Sequence, residues 1–299
     1  MEKKVGIVGL GIMGGAIARN LAERGWNVIG FDTDRSKCDE LAAAGVSIEG
    51  SAAEVARNAP VVMTSLPSPK AALSVAEAIA ASGAPPRIVV EMSTLSLADK
   101  LAFAAALEKA GHTALDCPLS GTGAQAERRD LVVYASGDRE AIHRLEPLFL
   151  DFAKKVADLG VYGNGSKMKF VANYLVAINN VATAEAMILG MKAGLNPKQI
   201  VDIVGPGAGG SRIFELRAPL MAENRYEPPT MRMSTWQKDM DIIGGFAREL
   251  GCATPLFSAS GEIYKRGLTM GLGELDTASV FRVIEAMSAP SGKNEQHGG

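Results

Sequence analysis

A lysine and an asparagine stand four residues apart at Lys169 and Asn173, behind the glycine-bearing lead-in Gly163-Asn164-Gly165. In a helix, positions i and i+4 share a face, so this amine and amide would meet one ligand together. Lys167, two residues earlier, points roughly 200° away and is expected to face water. An amine so placed suits proton transfer at an alcohol or carbonyl oxygen, a step that a positioned acid or base speeds by roughly 10²–10⁴-fold. Lysine serves as the base when burial or a nearby cation such as Lys238 lowers its pKa. The plainer alternative is a solvated lysine at a helix start and an amide satisfied within its own helix.

A second constellation lies at the start of the chain. The segment 5–8 is a short apolar run, followed by Gly9-Leu10-Gly11-Ile12-Met13-Gly14 and then a helical pattern over 12–24. In a G-x-G-x-x-G turn the first glycine permits the tight bend, the second admits a pyrophosphate, and the third lets the helix pack on the strand. The helix N-terminus then offers free N–H groups and partial positive charge to the anion. Asp32 ends the next apolar run, 18 positions past Gly14, where a ribose hydroxyl partner is expected. A carboxylate there repels a 2′-phosphate, which favours NAD over NADP; Arg35, three residues on, keeps NADP possible. A glycine-rich turn in some other α/β protein is the competing reading.

Positioning these groups requires a particular set of elements. Apolar runs at 5–8, 27–31, 61–65, 88–91, 113–116 and 131–135 read as strands, with helical patterns at 12–24 and 36–44. Short buried strands separated by helices imply a doubly wound parallel sheet, an α/β fold. After about Gly165 the strand signal ends. Helices are expected over 166–192, 198–204, 212–221, 236–249, 256–266 and 277–286, with Gly194 as a C-terminal cap and Asn196-Pro197 opening the next helix. The expected organisation is a dinucleotide-binding domain over 1–161 and an all-helical domain over 162–299, with a disordered tail at 288–299.

Composition excludes several classes of function. Lysine plus arginine total 31 against 33 acidic residues, for a net charge of −2, so no basic excess recruits nucleic acid or an anionic membrane. Three scattered cysteines suggest neither a disulfide framework nor a metal site and fit a reducing compartment. Lys3-Lys4 before an apolar run superficially imitates a secretory leader, but five patterned glycines interrupt it. The most apolar stretch, 170–191, contains Asn173, Asn179, Asn180 and Glu185, so no membrane span is expected.

Four separated motifs together resemble the β-hydroxyacid dehydrogenases, the group of 3-hydroxyisobutyrate dehydrogenase, tartronate semialdehyde reductase and L-threonate dehydrogenase, over about residues 3–287. They are the Gly9–Gly14 turn, Asp116-Cys117-Pro118-Leu119-Ser120-Gly121-Thr122, Gly163-Asn164-Gly165-Ser166-Lys167-Met168-Lys169 with Asn173, and Lys238-Asp239. The resemblance implies a Rossmann domain with a helical C-terminal domain, and hydride transfer between NAD (NADP possible) and a small hydroxy acid or its semialdehyde or keto form. It implies Lys169 as general acid/base and Asn173 as its substrate-orienting neighbour. Ser120, Gly121 and Thr122 would hold the substrate carboxylate, and Lys238 would lie beside nicotinamide and substrate, closing a cleft. Leu66-Pro67 and Ser93-Thr94 match cofactor-lining loops. The segment Gly123-Ala124-Gln125 departs from the glycine-rich loop common in the family, which leaves substrate identity open, while Gly207–Arg212 with Arg217-Ala218-Pro219 looks closer to the threonate branch.

A cytoplasmic homo-oligomer, dimer or tetramer, is expected through the helical half. Two other readings compete: reduction of an imine or larger carbonyl on the same scaffold, and a non-catalytic dinucleotide-binding module. His112, His143 and His297 form no triad arrangement. Cys117 and the set Met13, Met168, Met187 and Met191 are expected to pack, and Glu127-Arg128-Arg129-Asp130 to be a solvated charge run.

Overall fold

The structure is a computed structural model and describes residues 2–289. Its elements run β1 (Lys4–Val8), α1 (Ile12–Glu23), β2 (Asn27–Phe31), α2 (Arg35–Ala43), β3 (Ser47–Ile48), α3 (Ala52–Asn58), β4 (Val61–Thr64), α4 (Pro69–Ala80), β5 (Ile88–Glu91), α5 (Leu97–Glu108) and β6 (Thr113–Asp116). They continue with β7 (Leu119–Ser120), α6 (Gly123–Glu127), β8 (Val132–Gly137), α7 (Arg139–Leu150) and β9 (Lys155–Asp158). The remainder is helical: α8 (Asn164–Lys192), α9 (Pro197–Val204), α10 (Arg212–Ala222), α11 (Met233–Glu249), α12 (Pro255–Thr269), a short 3₁₀ turn at Thr277–Ser279, and α13 (Val280–Met287). The chain divides into two compact units, the first ending at Ala172 and the second beginning at Asn173, so the division falls inside α8.

The first unit is a sheet in the order β3-β2-β1-β4-β5-β6-β8-β7, with β9 on β8. β3 through β6 are mutually parallel, which is the strand order of a doubly wound dinucleotide fold. The expected parallel sheet needs one correction: β8 runs antiparallel to both β6 and β7. Its connection from β6 holds β7 and the five-residue α6, and β8 returns antiparallel along β7. The period of two on the strands explains the layering. Ile7, Val28, Met63, Val90 and Leu115 pack on one face with Ile17, Leu21, Leu145 and Phe149, whereas Val8, Ile29, Val62, Val89 and Ala114 pack on the other with Val55, Ile79, Phe103 and Leu107.

In the second unit α11 packs on α12, α12 on α13 and α9 on α10. Helix α8 is long and apolar enough, by length and composition, to cross a membrane. Asn173 and Asn180 on it are nonetheless buried and bonded within the helical unit: Asn180 Nδ2 donates to Tyr264 Oη and to the Thr277 carbonyl, both at 2.9 Å. Arg217 is spent on the core of this unit, donating to Asp276 Oδ1 and Thr230 Oγ1 at 2.7 Å each. Gly194 adopts φ +86° behind α8, and Asn196 caps α9 ahead of Pro197, as the sequence predicts. The expected tail lies, from residue 290 on, outside the described residues. Met168 departs from its expected core role, with 41 % exposure, because it lies on the outward side of the first turns of α8; Met187 is fully buried.

Candidate active site

Every site residue predicted in the first unit follows the carboxyl end of a strand, apart from Lys169 on α8. Gly9–Gly14 follow β1, Asp32 follows β2, Leu66-Pro67 follow β4, Ser93-Thr94 follow β5, and Ser120–Thr122 close the segment after β6. Open α/β sheets bind ligands at that edge.

The turn after β1 fits a dinucleotide. Gly9 has φ +91°, and a Cβ there would strike the Ser65 carbonyl; a Cβ on Gly14 would strike the Gly9 carbonyl. Around Gly11, by contrast, a Cβ would meet nothing within 4 Å. Gly11 is also the N-cap of α1, and no side chain occupies the cap. Tight backbone on both sides of an open, uncapped helix N-terminus is what a pyrophosphate requires. Asp32 is held in place by two amides, from Leu10 to Oδ2 at 2.7 Å and from Asp34 to Oδ1 at 2.8 Å. The carboxylate thus stays beside the turn with acceptor capacity left for a ribose hydroxyl. Arg35 pairs with Asp39 at 3.1 Å on exposed α2. Leu66 and Ser93 are tied together, the Leu66 amide donating to Ser93 Oγ at 2.7 Å.

Ser120 ends β7, and Gly121 turns the chain into α6. The Thr122 amide donates to Gln125 Oε1 at 3.0 Å, and Gln125 Nε2 donates to Asp130 Oδ2 at 3.1 Å. The departure from a glycine-rich loop therefore has a structural purpose, since Gln125 staples the loop to its own exit. Asp130 also pairs with Lys154 at 2.5 Å, so part of the expected solvated charge run is engaged. From α1, Asn20 Nδ2 donates to the Ala126 carbonyl at 2.7 Å, and the Ile12 side chain lies against Gly123. Cys117 is fully buried, and burial followed by the Asp116 charge pushes its thiol pKa well above the usual range, so it packs rather than attacks.

Lys169 is half-buried, and its Nζ donates to the Leu119 carbonyl at 2.6 Å, next to Ser120. Lys167 is exposed and bonds only locally to Asn164, so the two lysines separate as the helical spacing predicts. Asn173, one turn beyond Lys169, is buried, and its Nδ2 donates to Asp239 Oδ2 at 3.0 Å. Lys238 lies 3.5 Å from Asp239 on α11. The structure thus brings Asn173 and the Lys238-Asp239 pair together within the helical unit, and Lys169, Ser120 and the cofactor turn within the sheet unit. Sequence reading missed the Asp239–Asn173 bond and the buried charges Glu91 and Lys100. Lys100 was detectable in principle, because it shares the i, i+3, i+4, i+7 stripe with Phe103, Ala104 and Leu107.

Residues 4–160 match the family described as NAD binding domain of 6-phosphogluconate dehydrogenase, and residues 163–284 match NAD-binding of NADP-dependent 3-hydroxyisobutyrate dehydrogenase. The chain belongs to the β-hydroxyacid dehydrogenase family. Glyoxylate/succinic semialdehyde reductase 1 of Arabidopsis thaliana is 32 % identical, covering 94 % of this chain and 98 % of its own. L-Threonate dehydrogenase of Cupriavidus necator is 30 % identical over 99 % and 100 % of the two chains. The crystal structure of 3-hydroxyisobutyrate dehydrogenase from Salmonella typhimurium superposes with TM-score 0.84 at 30 % identity, covering 94 % of this chain and 99 % of that one. A member of this family is an NAD(P)-dependent oxidoreductase acting on the hydroxyl of a hydroxy acid or on the corresponding carbonyl.

Proposed function

We propose that this β-hydroxyacid dehydrogenase interconverts a small hydroxy acid and its semialdehyde or keto form, with Lys169 as the proton-transfer residue. The observation that carries this reading is the Lys169 amine held 2.6 Å from the Leu119 carbonyl, beside Ser120 and at the sheet edge that bears the glycine turn. Gly9–Gly14 would hold the pyrophosphate, Asp32 the ribose, and the Leu66-Pro67 and Ser93-Thr94 loops the rest of the cofactor. Bound nicotinamide supplies the hydride acceptor or donor. Ser120, Gly121 and Thr122 bind the substrate carboxylate through the two hydroxyls and the Gly121 amide, the Thr122 amide being engaged by Gln125. Lys169 takes the alcohol proton during oxidation and, as ammonium, returns it to the carbonyl oxygen during reduction. Asn173 and Lys238 orient substrate and cofactor, and Asp239 holds Asn173 in its rotamer. The fixed Asp32 carboxylate favours NAD.

The substrate class follows from the relatives together with the loop. Succinic semialdehyde, glyoxylate and threonate all carry one carboxylate and a reactive carbon within a few bonds of it. Threonate, glycerate, 3-hydroxyisobutyrate, 3-hydroxypropionate, glyoxylate and succinic semialdehyde form the panel, run with each cofactor while following reduced-nicotinamide absorbance. Turnover on at least one, lost in Lys169→Ala while cofactor still quenches protein fluorescence, is the expected result. Retention of more than a few per cent of activity in Lys169→Ala removes the assignment.

The same reading extends to a cytoplasmic homo-oligomer. Free Cys38 and Cys117 support a reducing compartment, and Leu189, Leu195 and Ile203 leave apolar surface exposed on the helical unit. Light scattering at micromolar protein, giving a mass of two or four chains, is the check.

A further inference from the structure

Three charged side chains are fully buried in the sheet unit, and none belongs to the residues proposed to touch substrate or cofactor. Glu91 and Asp116 end β5 and β6 and are register partners on adjacent strands, which puts two carboxylates side by side on one face. Lys100 reaches them from α5, its Nζ bonding Glu91 Oε2 and lying 2.9 Å from Asp116 Oδ1. Burial opposes the charge on Lys100, but the Glu91 and Asp116 carboxylates more than offset it, and its pKa lies above the ordinary lysine value. Apolar residues of similar volume hold a core as well as buried ion pairs do, or better. A core that retains three charges therefore invites a reason beyond stability.

The bonding of the network supplies one. Glu91 Oε1 accepts from the Ser93 amide at 2.9 Å, and Ser93 Oγ in turn accepts from Leu66, so one arm reaches both cofactor-side loops. Asp116 Oδ2 accepts from the Ser166 amide at 2.7 Å, and Oδ1 accepts from the Ser166 hydroxyl at 2.8 Å. Ser166 lies in the first turn of α8, so a carboxylate from the sheet caps the helix that carries Lys169. Three residues further along each segment, Lys169 bonds back to Leu119. The segments 116–119 and 166–169 are thus clamped at both ends. A Cβ at Gly165 would lie 2.6 Å from the Asp116 carbonyl, so the helix start rests directly on β6. Ser136 Oγ closes the clamp, accepting from the Gly165 amide at 2.9 Å and donating to the Asp116 carbonyl at 3.1 Å.

We infer that Lys100, Glu91, Asp116 and Ser166 form a positioning network that fixes the Lys169 amine against the Ser120 loop. The ammonium of Lys100 bonds both adjacent carboxylates and ties β5 to β6. Asp116, through its two bonds to Ser166, then holds α8 at one height, and that height sets where the amine meets a substrate oxygen. An error of about an ångström at such a contact costs on the order of 10² in rate. The inference rests on Lys169 being the proton-transfer residue.

Ser166→Ala tests it, because the change removes one hydroxyl and leaves the packed helix start intact. Three measurements are made: kcat and KM on the most active hydroxy acid, the Kd for reduced cofactor, and acetylation of Lys169 in the cofactor-free protein, scored by peptide mass spectrometry against Lys167. The expected result is kcat at least tenfold lower with cofactor Kd within twofold, and Lys169 labelling relative to Lys167 at least threefold faster. Ser166→Thr, which keeps the hydroxyl, is expected to hold both values within about threefold of wild type. Unchanged kcat and labelling in Ser166→Ala, or equal losses in the Ala and Thr variants, overturn the network. Lys169→Ala run in parallel separates the failures: if it stays active, the role of Lys169 falls, whereas if it is dead and Ser166→Ala is normal, only the positioning network falls. Asp116→Asn, expected to match Ser166→Ala in labelling, repeats the test at the other end of the bond.

Discussion

Asp116 receives both the amide and the hydroxyl of Ser166, at 2.7 and 2.8 Å, across fifty residues of sequence. That double bond of sheet to helix couples the end of β6 to the element that carries Lys169, and it depends on Lys100 to neutralise its neighbourhood.

Lys100→Met is therefore expected to destabilise the protein strongly. Removing one partner from a buried ion pair costs about 3–5 kcal/mol. The pH dependence has a definite sign. A group whose folded pKa is raised contributes stability that is fully present below its unfolded value, near 10.4, and is lost as pH rises through the folded value. Urea denaturation of wild type and variant should show a constant gap from pH 7 to 9, narrowing only at more alkaline pH. A gap that closes between pH 6 and 8 contradicts the assignment of the charge to Lys100.

Gly14→Ala is expected to disable the cofactor turn. The added methyl meets the Gly9 carbonyl, which the positive φ of Gly9 fixes in place. Overpacking of this kind costs about 1–3 kcal/mol, and cofactor affinity should fall more than tenfold by fluorescence titration. Gly11→Ala meets no atom of the fold, so it should leave the melting temperature nearly unchanged while still weakening cofactor binding.

Asp32 is expected to set cofactor choice. Wild type should favour NAD over NADP in kcat/KM by more than tenfold, about 1.4 kcal/mol. Asp32→Ala should bring the two cofactors toward parity, mainly by losing NAD efficiency, because the Leu10 and Asp34 amides lose their acceptor as well. Unaltered preference in the variant would move the discrimination elsewhere.

Asn173→Ala removes the donor to buried Asp239. Leaving a buried acceptor without that bond costs about 1–3 kcal/mol. Activity should fall further than the stability loss explains, which comparison of kcat at 10 °C with the chemical denaturation midpoint would reveal.

The parts of the fold that were legible in the sequence share a physical reason. β1, β2, β4 and β5 are largely apolar runs because both of their faces are covered, and each reads as a buried strand. β3 and β7 are two residues long and carry no period to read. β9, Lys155–Asp158, pairs with β8 alone and has no buried residue, so it lacks the apolar signature. The antiparallel course of β8 is set by its pairing with β7, too short to be read. The Lys169–Asn173 spacing was legible because both lie on one uninterrupted helix. The clamp was not, since its members come from four elements and become neighbours only when the sheet assembles. Lys100 reads by type as a surface residue, and only its place on an apolar stripe indicates otherwise.

Asn20 has a consequence for redesign. It sits on the helix that opens the cofactor turn, yet it supports α6 through the Ala126 carbonyl, while Ile12 of the same helix fills the space over Gly123. A chimera that imports residues 119–127 from a relative to change substrate would keep a neighbour evolved for the original backbone. Positions 12 and 20 need to travel with the graft, or the exchange will disturb nucleotide affinity along with selectivity.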